Sequence, residues 1–172
     1  MKVTVSRILW CKLENAGQFC LGVDYCVIHE ESFPSFIEEF KCLYAHYWGD
    51  NPGRPDTVLK MPGRVINEQQ WQRLHKMISD IEQTDPNSII LGGTKYASRD
   101  LRYIPLTVVL NPPMSSPVMT EEIFGPILPI FTVPSINEAI SFVNSMPTKH
   151  PLALYVFSHN INTAQKVIDE TM

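Results

Sequence analysis

Apolar positions along the chain follow two rhythms, one near 3.6 residues and one of short continuous runs, and they alternate from the first residues to the last. From Val3 to Leu13, Val5, Ile8, Leu9 and Leu13 mark one face of a helix. Asn15 and Gly17 stop it, since both tolerate the left-handed backbone of a helix end. Val23 to His29 is apolar and β-branched and reads as a buried strand. Glu31 to Trp48 then carries Phe33, Phe36, Ile37, Phe40, Leu43, Tyr44 and Tyr47 at helical spacing, a stripe better suited to a core than to a ligand cage.

Gly49 to Gly53 breaks this helix, and Arg54 to Arg64 reads as a connecting loop. Asn67 is placed to cap a helix from Glu68 to about Glu82, with Trp71, Leu74, Met77, Ile78 and Ile81 on one face. Ser88 to Leu91 is a short apolar strand running into Gly92-Gly93-Thr94-Lys95, where phosphate-loop spacing is absent and a turn is the better reading. Tyr103 to Leu110 reads as a strand, and Asn111 to Met119 as a proline-broken loop. Glu121 to Pro126 follows as a tight turn exposing a carboxylate and a ring, and Ile127 to Val133 is a further strand. Ser135 and Glu138 have capping-box spacing at the head of a helix, Pro151 to Phe157 reads as another buried strand, and Asn160 to Glu170 as a final helix. The alternation predicts an α/β fold, a layered α/β/α domain with a largely parallel sheet.

At 172 residues, 44% of them hydrophobic, the chain can bury one core. Net charge of −4, without a block of Lys or Arg, argues against nucleic acid or an anionic membrane as partner. Cys11, Cys20, Cys26 and Cys42 form no CxxC pair and have no His at a zinc-ligand offset, so no metal site is expected and free thiols in a reducing compartment fit. No apolar run approaches the roughly 18 residues that span a bilayer, and a soluble, cytoplasmic chain is expected.

Chemistry concentrates at Asn15-Ala-Gly-Gln-Phe-Cys20, where a polar turn delivers a thiol between a helix and a strand. A thiolate there is a nucleophile if backbone N–H groups or a cation favour it. A single Cys is more often a small buried hydrophobe, and Glu121 and Glu122 taken alone are as well explained by a solvated helix-to-strand connection.

The hexapeptide resembles the active-site cysteine motif of the aldehyde dehydrogenases, most closely the fatty and class 3 branch. Downstream, Glu121-Glu122-Ile-Phe124-Gly-Pro126-Ile-Leu-Pro is similar to the nicotinamide-side loop of that family. Gly63-Arg64-Val-Ile-Asn67, Gly92-Gly93, Arg102-Tyr103-Ile-Pro-Leu-Thr107-Val and Pro151 to Ser158 also look like it. The resemblance implies oxidation of an aldehyde to a carboxylic acid with NAD or NADP. Cys20 would form a thiohemiacetal that loses hydride to give a thioester, with the Cys20 backbone N–H facing the oxyanion. Glu122 would accept both hydroxyls of the nicotinamide ribose, and Phe124 would pack beside them. Phe19 stands where the nearest branch commonly has Thr.

The family's cofactor-binding domain, oxyanion Asn and general-base Glu lie N-terminal to the match, and its oligomerisation segment C-terminal. The resemblance therefore implies a partial catalytic domain over residues 1–172, from a homo-oligomer, or else an inactive remnant or interaction module. It also implies apolar surface left exposed on the chain as given.

Overall fold

The computed structural model describes residues 1–49, 63–146 and 152–171. In chain order the elements are α1 (Lys2–Leu13), β1 (Cys26–His29), α2 (Phe33–Trp48), α3 (Glu68–Thr84), β2 (Ile89–Leu91), β3 (Thr107–Leu110), the single turn α4 (Pro117–Thr120), β4 (Ile127–Val133), α5 (Ile136–Asn144) and α6 (Ile161–Thr171). Four strands form one sheet in the order β1-β4-β3-β2. β4 is its axis: β1 pairs with it in parallel, Cys26 opposite Ile130, and β3 in parallel on the other side, Thr107 opposite Ile127. β2 closes the far edge antiparallel to β3.

Alternation along the central strands sends successive side chains to opposite faces. Leu128 and Ile130 of β4 join Val108 and Cys26 beneath α1 and α2, whose Val5, Leu9, Phe36 and Phe40 are buried. Ile127 and Phe131 join Val109 against α3, through Trp71, Leu74 and Ile78. The layers are therefore α/β/α with a mostly parallel sheet. Burying each such side chain contributes about 1.5–3 kcal/mol, which makes these two clusters the main reason the loops above them hold position.

Local signals act as the sequence predicts at two helix starts. Asn67 Oδ1 accepts the Gln70 N–H at 2.8 Å and opens α3, and Ser135 Oγ accepts the Glu138 N–H at 3.2 Å and opens α5. Three expected strands differ, the first being Tyr103 to Leu110, which shortens to Thr107–Leu110. Val23 to His29 contracts to Cys26–His29: β1 is an edge strand, the Val23 carbonyl accepts Lys12 Nζ instead of a ladder N–H, and the Asp24 side chain accepts the Ile123 N–H. The stretch read as a buried strand, Pro151 to Phe157, has no strand over 152–157, and Leu152 is 72% exposed. An apolar run becomes a strand only against a ladder partner, and the described residues give this one none; its Tyr155 hydroxyl donates to Leu21 O at 2.8 Å. Leu154, Tyr155, Phe157 and Ile161 are exposed beside it. Most of the Gly49–Gly53 break and of the Arg54–Arg64 loop, together with Pro151, lies outside the described residues. No helix among the described residues is long and apolar enough to cross a membrane.

Candidate active site

Because β1, β4 and β3 are parallel neighbours, the segments leading into them lie side by side at one edge of the sheet. Those segments are residues 15–25, 121–126 and 102–106, so three of the sequence motifs converge by topology. A fourth, Gly63 to Ile66, is laid across them. Val65 N–H donates to Arg102 O at 3.0 Å, the Arg102 guanidinium donates to Ile66 O at 2.6 Å, and the Gln18 side chain reaches the same segment. A Cβ on Gly63 would stand 2.7 Å from the backbone of Asn15 and Ala16, so the contact requires glycine.

The cysteine turn begins with three left-handed residues in succession, Asn15 (φ 50°), Ala16 (φ 55°) and Gly17 (φ 72°). For alanine this backbone costs about 1–2 kcal/mol, and it is held by amide bonds on both sides. Gln18 Nε2 donates to Asn15 O and to Arg64 O, both at 2.9 Å, while its Oε1 accepts the Ile66 N–H at 2.9 Å. The Gln18 side chain is thereby fully engaged and buried. Cys20 then occupies the second position of a β-turn closed by the Gly22 N–H donating to Phe19 O at 2.8 Å. The Cys20 thiol is free and exposed, and neither it nor its backbone N–H bonds to any described residue. Phe19 and Leu21 on either side are also exposed.

The loop from Glu121 to Pro126 meets this turn backbone to backbone: a Cβ on Gly17 would lie 2.4 Å from Gly125 O. Arg73 on α3 anchors the loop from one side, donating to Ile123 O at 2.6 Å and to Glu122 O at 3.3 Å, with Nε turned to Gln70 Oε1 at 2.8 Å. From the other side Asp24 Oδ1 accepts the Ile123 N–H at 3.2 Å. Between these anchors Phe124 takes a left-handed backbone (φ 45°) and presents a ring that is 40% exposed. The two glutamates, indistinguishable by residue type, separate here. Glu121 pairs with Arg73 at 3.7 Å, whereas the exposed Glu122 carboxylate accepts no hydrogen bond from any described residue.

Lys12 lies beneath both loops, 2% exposed, with Nζ donating to Val23 O at 2.9 Å. Burial pushes its pKa down, and the Asp24 carboxylate, the largest opposing influence, partly offsets that. Lys12, Asp24, Arg73 and the stapling role of Gln18 escape sequence patterning, although a lysine three residues after Leu9 on an apolar helix face was a visible anomaly. Among the described residues no cluster of His, Cys, Asp or Glu is suited to a metal ion.

The aldehyde dehydrogenase family model matches residues 1–172. The chain belongs to the aldehyde dehydrogenase family. The chain is 34% identical over 171 residues to aldehyde dehydrogenase family 3 comG of Dictyostelium discoideum, covering 99% of this chain and 33% of the relative. To 4,4'-diaponeurosporen-aldehyde dehydrogenase of Staphylococcus aureus it is 36% identical over 171 residues, 99% of this chain and 34% of the relative. A solved structure, Staphylococcus aureus AldH in a substrate-bound state, superposes with a TM-score of 0.87 at 34% identity, over 99% of this chain and 35% of that one. The chain thus spans about a third of the length of the aldehyde dehydrogenases it matches.

Proposed function

We propose that residues 1–172 form part of an aldehyde dehydrogenase catalytic domain, carrying the nucleophile and the nicotinamide-facing loop for NAD(P)-dependent oxidation of an aldehyde to a carboxylic acid. One observation carries the reading: the Gly17–Gly125 contact sets, on adjoining loops, an exposed thiol and a carboxylate that accepts no hydrogen bond from any described residue. Cys20 is the nucleophile. Its Sγ, as thiolate, forms a C–S bond to the aldehyde carbon, and the carbonyl electron pair moves to oxygen, for which the unengaged Cys20 N–H is a donor.

A nicotinamide dinucleotide, when bound, supplies the hydride acceptor. The residues present fit it: a two-oxygen acceptor with no competing donor among the described residues and an exposed ring two positions away suit a vicinal diol joined to a planar heterocycle. Glu122 would hold the ribose hydroxyls and Phe124 the nicotinamide end. Both NAD and NADP are compatible with these contacts, and a mouse relative 36% identical to this chain is named as dimeric and NADP-preferring. That name also supports a homo-oligomer for the longer protein. Phe19 and Leu21 flank the thiol with apolar surface, which favours an apolar aldehyde as substrate, and the four free cysteines suit a reducing compartment such as the cytoplasm.

Alkylation with iodoacetamide followed by peptide mapping tests the nucleophile. Cys20 is expected to be labelled faster than the exposed Cys42, with the fast label lost in Cys20→Ala. Without a positioned base, worth about 100- to 10,000-fold, the purified chain is expected to give no steady aldehyde-dependent NAD(P)H. Equal labelling of Cys20 and Cys42, or NAD(P)H formation that survives Cys20→Ala, would overturn the assignment.

A further inference from the structure

We infer that Arg73 and Asp24 are positioning residues that set the direction of the Glu122 carboxylate and the Phe124 ring by clamping the intervening backbone from opposite sides. The inference rests on the cofactor reading above and goes beyond it, since neither residue touches the dinucleotide. Its basis is a match of charge to backbone polarity. The guanidinium is aimed at two successive carbonyl oxygens, those of Glu122 and Ile123, and the carboxylate at the intervening Ile123 N–H.

Charge-assisted bonds of this kind are about twice as strong as neutral ones, and the planar fork of Arg fixes two acceptors in one orientation where a point charge fixes one. The guanidinium is itself held, with Nε on Gln70 and Nη1 near Met77 Sδ and the Glu121 carboxylate, so it cannot swing freely. What the clamp opposes is visible one residue on. Phe124 sits at φ 45°, a conformation that an aromatic residue leaves unless the flanking peptides are fixed. Gly125 closes the other end by packing on Leu74 and Gly17. With Ile123 pinned before Phe124 and Gly125 pinned after it, the strained residue has no free peptide to rotate, and its ring and the Glu122 carboxylate keep a fixed relation to the Cys20 turn.

The probe is nicotinamide mononucleotide, which carries the ribose and ring that Glu122 and Phe124 would hold. It is titrated into the purified 172-residue chain by NMR, with iodoacetamide reactivity of Cys20 and thermal melting measured on the same samples. Arg73→Met is expected to weaken nucleotide binding about tenfold or more, and Arg73→Lys to recover part of it. Cys20 reactivity should stay near wild type in both, because the cysteine turn is held separately by Gln18, and melting should fall while the unfolding transition stays cooperative. Asp24→Asn should act in the same direction with a smaller effect, its acceptor oxygen being retained. Wild-type affinity in Arg73→Met overturns the inference, as does loss of nucleotide binding, Cys20 reactivity and cooperative melting together, which would make Arg73 merely structural. Should the wild-type chain not bind the nucleotide, the cofactor reading falls instead. Hydrogen exchange then decides the clamp: the Ile123 amide, which donates to Asp24, exchanges about tenfold faster in Arg73→Met if it holds, and at the wild-type rate if it does not.

Discussion

The two loops that meet at Gly17 and Gly125 are held by different physics. The cysteine turn is stapled by neutral amides, with Gln18 making three bonds inside a buried site, whereas the Glu122 loop is held by a guanidinium and a carboxylate reaching in from α3 and from the segment leading into β1. Neutral buried bonds are insensitive to salt; partly exposed charged ones are screened by it. The contrast separates fixing the Cys20 thiol from aiming the Glu122 carboxylate and the Phe124 ring, and each can be disturbed without the other.

The one substitution expected to break both is Gly17→Ala. Its Cβ would need to displace backbone oxygens of Gly125 and Lys12 from a φ of 72°, so about 3 kcal/mol or more of stability should be lost in urea denaturation. An unchanged urea midpoint would mean that the two loops do not touch as described. Next in size, Gln18→Leu removes three bonds and strands the Ile66 N–H, at a cost of about 2–3 kcal/mol. Faster exchange should appear at Ile66 and Gln18 while Ile123 stays protected; exchange spreading equally to Ile123 would erase the distinction drawn between the loops.

Lys12 sharpens the comparison through pH. Its folded pKa lies below the unfolded 10.5, so the native state sheds the proton first as pH rises, and the penalty for burying the charge fades through that window. Wild type should therefore gain stability relative to Lys12→Met between neutral pH and about 10.5. A stability difference that is flat over this range would show that the ammonium is not desolvated. Smallest of all, Glu121→Gln removes a half-exposed pair worth about 0–1 kcal/mol and should leave melting almost unchanged. In 1 M NaCl the Ile123 amide should exchange faster in the parent chain while Ile66 does not; equal acceleration would argue for charge at both loops.

How far the sequence could be read depended on whether the deciding interaction was local. Ser135 and Asn67 announce their helices because each cap is completed within three residues, and β4 runs from Ile127 to Val133 as expected because it is flanked by strands on both sides. Residues 152–157 carry an equally apolar pattern, yet pattern specifies only a face, and a strand needs a partner the described residues do not provide. At the site, Cys20 and the Glu121-Glu122 pair stood out by motif. Which glutamate is free did not, because Arg73, which engages Glu121, lies about fifty residues away on another element. Asp24 was hidden for the same reason, since its partner Ile123 is brought to it by the parallel pairing of β1 with β4, a long-range fact, and Lys12 because its acceptor, Val23 O, lies beyond the cysteine turn.

The Gly17–Gly125 contact acts as a gauge block. Because it is made of main chain on both sides, no side chain can thicken or thin it, and the spacing between thiol-bearing turn and carboxylate-bearing loop is independent of the residues around it. Phe19 and Leu21 can then be exchanged without changing the separation of the two loops, so that, under the proposed function, the bulk beside the thiol and the spacing of the site are separate variables.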